Sequence, residues 1–191
     1  AFDEATAILA GDALQSLAFD VLADAPQPAD RRVAMLAELA RASGAAGMCG
    51  GQALDIDATG QGANLDIDAL QRLHSMKTGA LLRAAVRLGA IAAGADAASR
   101  TALDRYADAL GLAFQVRDDL LDVEGDAATL GKTAGKDAAQ DKATFPALLG
   151  IEASRDRLAS LATTMHAALA SITADTTLLA VLARRVVERD H

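Results

Sequence analysis

Tryptophan is absent from this 191-residue chain, tyrosine and cysteine occur once each, and proline occurs three times. A lone Cys49 excludes an internal disulfide, is compatible with a reducing cytoplasm, and by default acts as a small buried hydrophobe. So few prolines leave room for long uninterrupted helices. Aromatics make up 3% of residues and hydrophobic residues 52%, so the core is built from Ala, Leu and Val, which suits closely packed helices. No alternating β pattern of useful length, internal repeat or low-complexity linker is present, and an all-α fold is expected. No run approaches the length of a membrane span, and no basic segment precedes an apolar one. A formal charge of −8, with no basic and aromatic stripe to offset it, argues against nucleic acid as a partner. The length predicts one domain, residues 1–191, with a substantial core.

Helical periodicity runs through most of the chain. It predicts helices at about 4–22, 29–42, 48–53, 66–93, 97–123, 144–148, 152–172 and 176–188. Pro26 and Pro28 end the first, Gly44 and Gly47 break the second from the third, and the glycine-bearing interval 57–64 reads as an exposed loop. Gly11, inside the first helix, costs about 1 kcal/mol relative to Ala. Close approach of another helix, or of a ligand, is its expected reason.

Three aspartates crowd the end of the longest apolar helix, in Phe114-Gln115-Val116-Arg117-Asp118-Asp119-Leu120-Leu121-Asp122. At about 100° per residue, Gln115, Asp118, Asp119 and Asp122 project within one arc of roughly 100°. Converging carboxylates repel unless a cation separates them, and oxygen-only ligands suit magnesium, which completes its shell with water and phosphate oxygens. On spacing alone, a solvated acidic helix end fits equally well. The following segment, Leu130-Gly131-Lys132-Thr133-Ala134-Gly135-Lys136-Asp137 and then Lys142-Ala143-Thr144-Phe145-Pro146, returns lysines toward the acids, as a diphosphate clamp requires. Gly131-Lys132-Thr133 mimics the tail of a P-loop. The earlier glycine of that motif is replaced by Asp126 and no strand precedes it, which excludes nucleoside triphosphate binding.

A second constellation is Leu73-His74-Ser75-Met76-Lys77-Thr78-Gly79. On an ideal helix His74, Lys77 and Thr78 share a face with Leu70 and Leu81. A lysine in an apolar stripe needs a ligand or a carboxylate, unless it snorkels to solvent. His74 alone reads as a helix-surface or hydrogen-bonded histidine. Ala107 and Gly111 lie on nearly the stripe of Asp118, which fits either a groove for a hydrocarbon tail or close helix packing.

With these motifs stand Gly11-Asp12-Ala13-Leu14 and Gly50-Gly51-Gln52-Ala53-Leu54-Asp55, and all six pieces, ending with the run from Lys142 to Gly150, follow one order. In that order the chain resembles the trans-prenyl diphosphate synthases, most of all the bacterial farnesyl diphosphate synthases, or geranyltranstransferases. The resemblance implies an isoprenoid-synthase-type bundle of long helices around a central cavity. It implies condensation of an allylic diphosphate (dimethylallyl or geranyl) with isopentenyl diphosphate, giving farnesyl diphosphate and releasing diphosphate, in a cytoplasmic homodimer. Asp118, Asp119 and Asp122 would hold magnesium, for which manganese can stand in, with Asp137 in its outer shell. Lys77 and Lys132 would grip the departing diphosphate, Thr78 and Gln115 would face the carbocation, and Gln52, Asp55 and Lys142 would belong to the substrate site.

The family's first aspartate-rich motif and its isopentenyl diphosphate site have no counterpart in these residues. The chain therefore reads as the C-terminal portion of a longer protein, and alone it is expected to be inactive. Product length depends on that upstream region, so geranylgeranyl diphosphate synthase is an alternative, as is a non-catalytic synthase-like subunit. A terpene cyclase is disfavoured, because Asn64 is the only asparagine available for the second metal motif of that class.

Overall fold

The computed structural model describes residues 3–59, 65–124 and 143–190, and among these it is helical, without a strand. In chain order the helices are α1 (Glu4–Ala23), α2 (Ala29–Ser43), α3 (Met48–Ala58), α4 (Ile67–His74), α5 (Ala80–Ala93), α6 (Ala97–Glu124), α7 (Phe145–Leu149), α8 (Ile151–Ala170) and α9 (Thr177–Glu188). A five-residue π-helical turn, Ser75–Gly79, joins α4 to α5. The periodic expectations hold with two adjustments. The third helix runs on to Ala58, and the helix expected over 66–93 contains the π turn.

Short polar side chains start several helices. Asp3, Asp66 and Asp96 accept the backbone N–H groups of Thr6, Ala69 and Ser99 at 2.8, 2.8 and 2.7 Å, satisfying donors that have no partner within the helix. Those bonds favour the ionised form and hold the carboxyls of Asp3 and Asp96 below the usual range. Gly94 ends α5 with φ +70°, a left-handed conformation that glycine adopts without steric penalty.

The core is organised on α6. Tyr106, Ala107, Ala113, Val116 and Leu120 are completely buried there, against Phe145 of α7 and Met165 of α8. Leu70 of α4 and Ala183 and Val186 of α9 complete the cluster. The single tyrosine donates its hydroxyl to the Leu179 carbonyl at 2.8 Å, so the one large polar aromatic in the core is satisfied. On the other side of α6, Arg87 of α5 grips Asp104 through Nε at 2.6 Å and Nη2 at 2.9 Å, and reaches Glu38 of α2 at 3.1 Å. One guanidinium thus ties three helices together, in the two-pronged geometry that makes arginine–carboxylate pairs strong.

Three expectations are corrected. Among the described residues nothing lies within 4 Å of where a Cβ on Gly11 would stand, so no described helix approaches it closely. Cys49 is exposed, because as the second residue of α3 it lies on the solvent side rather than against α2. α1 itself has the length and, at a mean hydropathy of 1.3, the composition of a membrane-crossing helix. Its acids are too sparse to lower that average. None of its residues is buried, with Leu9 and Leu14 at 66% and 65% exposure. A helix apolar on all sides is the pattern of one enclosed by protein or lipid.

Candidate active site

The π turn sets the site. Widening one turn of helix by a residue shifts the phase of everything after it, and such turns concentrate at functional positions. Leu70 is 2% exposed and Leu81 37% exposed, so the single face expected to carry both leucines is broken between them. His74 and Lys77 stay with Leu70 and Leu73 on the cavity side. The turn is held between two glycine contacts. A Cβ on Gly51 of α3 would stand 2.2 Å from Lys77 N, and one on Gly111 of α6 would stand 3.0 Å from Gly79 Cα.

This last contact decides between the two readings of the small-residue stripe. Gly111 brings α6 against the π turn and Ala107 lies wholly inside the core, so both serve close packing rather than a hydrocarbon groove.

Asp55, His74, Lys77, Gln115, Asp118, Asp119 and Thr144 converge on one cavity of about 270 Å³, with Leu70 and Leu73 forming part of its apolar wall. The volume lies just under the roughly 300–1,000 Å³ of drug-sized ligand pockets, which suits a compact anionic head better than a long tail. Lys77 Nζ sits 2.6 Å from Asp55 Oδ2, both side chains partly buried. The carboxylate required by a lysine on an apolar stripe is therefore Asp55, delivered from α3 across the Gly51 contact.

The two neighbouring aspartates have different surroundings. Asp119 is 5% exposed, and its Oδ2 accepts the backbone N–H of Phe145 at 2.8 Å. It joins the end of α6 to the start of α7, where Thr144 caps the helix through the Ala147 N–H at 3.3 Å. Asp118 is half exposed, and its Oδ1 lies 3.1 Å from Arg189 Nη2. Among the described residues no three His, Cys, Asp or Glu side chains form a group that could hold a metal ion. The carboxylates of α6 share an arc without forming such a group in this arrangement. Although Asp118 and Asp119 share that arc and both line the cavity, Asp119 is engaged by the Phe145 N–H and Asp118 by Arg189.

A hard cation that keeps water and takes phosphate oxygens still fits this donor set, since Asp118, Asp119, Asp55 and Gln115 all offer oxygen. A metal needing a full protein cage does not.

The structure thus brings together Asp55, Lys77, Gln115, Asp118 and Asp119. Gln52, Thr78 and Asp122 do not line this cavity. The π turn rotates Thr78 off the Lys77 face, and Asp122 lies one turn nearer the end of α6. Lys132, Asp137 and Lys142 lie outside the described residues. Sequence reasoning passed over Thr144 and Arg189, and read His74 as a helix-surface or hydrogen-bonded histidine without placing it in the site. His74 stacks on Phe145, with ring centroids 5.8 Å apart and planes at 24°. Its spacing of three from Lys77 was the available signal.

Comparison with known proteins agrees with this geometry. The polyprenyl synthetase family model matches residues 1–177. Farnesyl diphosphate synthase of Escherichia coli is 53% identical over 197 aligned positions, covering 99% of this chain and 65% of that protein. An FPP/GFPP synthase from Zymomonas mobilis superposes with a TM-score of 0.82 at 38% identity, covering 97% of this chain and 62% of that one. The geranyltransferase of Helicobacter pylori, solved with magnesium and isoprenyl diphosphate, superposes with a TM-score of 0.80 at 32% identity, covering 97% and 60%. The chain therefore spans less than two thirds of the length of these relatives. With an all-α bundle, a lysine and aspartate cavity and a match along nearly its whole length, the chain belongs to the polyprenyl synthetase family.

Proposed function

We propose that this chain forms the allylic-diphosphate half of a farnesyl diphosphate synthase, a prenyltransferase that joins an allylic diphosphate to isopentenyl diphosphate. The observation that carries the reading is the convergence of Lys77, Gln115, Asp118 and Asp119 on one cavity with an apolar wall. In the reaction the allylic C–O bond breaks and its electron pair leaves with diphosphate. The double bond of isopentenyl diphosphate then supplies the new C–C bond, and a proton is lost from the adjacent carbon.

Lys77, released from Asp55, donates to the diphosphate oxygens as negative charge grows there, joined in the same reading by Lys132. Gln115 presents a weakly polar oxygen to the cationic carbon, too poor as a nucleophile to trap it. Leu70 and Leu73 exclude water from that side. Magnesium, or manganese in its place, would be held by Asp118 and Asp122 with the second oxygen of Asp119 and, through water, Asp137. It would supply Lewis-acid stabilisation of the leaving diphosphate. Gln52, Asp55 and Lys142 complete the substrate site in this reading, and a cytoplasmic homodimer is its working form. The similarity to farnesyl diphosphate synthases favours a farnesyl over a geranylgeranyl product.

The test is condensation of geranyl diphosphate with isopentenyl diphosphate, measured in the protein with its upstream sequence and magnesium. Farnesyl diphosphate is expected, and Lys77→Ala is expected to lower turnover by about 10²–10³. Normal folding with magnesium-independent diphosphate binding and no product would instead identify a non-catalytic subunit.

A further inference from the structure

The residue that meets Asp118 comes from the far end of the chain. Arg189 follows α9, and its guanidinium makes three contacts on α6. Nη2 donates to the Phe114 carbonyl and to Asp118 Oδ1, each at 3.1 Å, and Cζ lies 4.2 Å from the Phe114 ring centre. The backbone answers in the opposite direction. The Arg189 carbonyl accepts from Arg117 Nε at 2.8 Å and from its Nη2. Two arginines therefore clasp the same stretch of α6 and the same C-terminal turn from both sides. The Arg189 side chain is 22% exposed, against 47% for Asp118.

We propose that Arg189 is a positioning residue for Asp118. It holds one carboxylate oxygen and so orients the other toward the cavity that contains Lys77, while offsetting the mutual repulsion of the aspartates before a cation arrives. The proposal rests on the reading of Asp118 as a metal ligand. Three of the four attachments of Arg189 do not involve the Asp118 carboxylate: the Phe114 carbonyl, the Phe114 ring and the backbone bond to Arg117. The arginine therefore keeps its place when a divalent ion binds, and Asp118 does not have to be ordered at that moment.

This arrangement makes a prediction of sign. A positive charge beside a cation site, acting through charge alone, weakens cation binding, and its removal tightens it. A residue that orients the ligand does the reverse, and partners of metal ligands commonly matter by about 10–100-fold in affinity. Mn²⁺ binding in the presence of inorganic pyrophosphate, followed by electron paramagnetic resonance on the full chain, reads the difference. Arg189→Met is expected to weaken Mn²⁺ binding about tenfold. Arg189→Lys, which keeps the charge but cannot span both acceptors while stacking on Phe114, is expected to weaken it by less.

In the Asp118→Ala background, Arg189→Met should add nothing further. If Asp118→Ala weakens binding but Arg189→Met leaves it unchanged or tightens it, the positioning role is overturned and the metal site stands. If Asp118→Ala has no effect, the metal site itself is misplaced and both readings fall. Urea midpoints of each variant, measured alongside, separate these outcomes from loss of fold.

Discussion

Gly51→Ala tests the geometry of the site through a single methyl group. A Cβ at this position would stand 2.2 Å from Lys77 N, 2.6 Å from Lys77 Cα and 2.7 Å from the Met76 carbonyl carbon. All three neighbours are backbone atoms, so no rotamer change makes room. Carbon contacts settle at about 3.5–4.0 Å, so α3 and the π turn must separate by roughly 1 Å. Overpacking costs typically about 1–3 kcal/mol where side chains can yield, and backbone against backbone places this case at the upper end. Replacing glycine by alanine within a helix returns about 1 kcal/mol.

The net expectation is a loss of about 2 kcal/mol, or a fall in Tm of roughly 4–8 °C for a chain of this size. Gly89→Ala is the internal control. Gly89 is an exposed position of α5 with nothing within 4 Å, so the same exchange there should raise stability by about 1 kcal/mol. Urea unfolding followed by circular dichroism compares the two directly. In the proposed condensation of geranyl and isopentenyl diphosphates, displacement of Lys77 by about 1 Å should also lower turnover roughly a hundredfold. A Gly51→Ala midpoint equal to or above that of the parent chain would mean that α3 and the π turn are not in main-chain contact at Gly51.

Burial pushes the Tyr106 phenol up to about 12 from its ordinary 10.0. Because the folded state holds this proton more tightly than the unfolded chain, the associated stability is intact below pH 10. It is lost between pH 10 and 12, by about 2–3 kcal/mol. Tyr106→Phe should remove that alkaline dependence, and with one tyrosine in the chain the phenolate absorbance reports it without interference. The Asp104 carboxyl is held below the carboxylate range chiefly by its hydrogen bond to Arg87. Its contribution is present above pH 3.8 and fades as pH falls further, and Asp104→Asn should flatten that acid limb in urea titrations. Asp119→Ala leaves the buried Phe145 N–H without its acceptor, a loss of about 1–3 kcal/mol. Asp119→Asn should retain most of the stability while still lowering divalent-ion affinity, which calorimetry with inorganic pyrophosphate measures. Phe145→Ala, emptying a fully buried ring position beside His74, should destabilise by about 3–5 kcal/mol in the same urea assay.

Helix positions followed from local signals, because Asp3, Asp66 and Asp96 cap and Gly94 terminates as their chemistry dictates. Spacing alone put Gln115, Asp118 and Asp119 on one arc of α6, whereas Asp55 and Lys77 were joined to them only by the family resemblance. An ideal-helix projection failed at two points for a physical reason. Helical periodicity assumes a constant turn, and the π segment between His74 and Ala80 breaks it, which misassigned Leu81 and Thr78. An arc on α6 also describes where side chains leave the backbone, and not what they meet. The Phe145 N–H and Arg189 come from residues 26 and 71 positions away along the chain, and no local pattern announces such partners. Gly111 was ambiguous for the same cause, since a missing side chain fits an empty groove and a backbone contact equally well.

The wide turn bearing Lys77 is wedged between two neighbouring main chains, at Gly51 on one side and at Gly111 on the other. Its shape is thus enforced by rigid peptide units and owes little to the Lys77–Asp55 ion pair. In the proposed reaction, where diphosphate would draw the lysine from its resting partner, the amine would move as a tethered arm from a stationary shoulder. Its reach is bounded by side-chain length alone, and it swings back to the same starting point after every release.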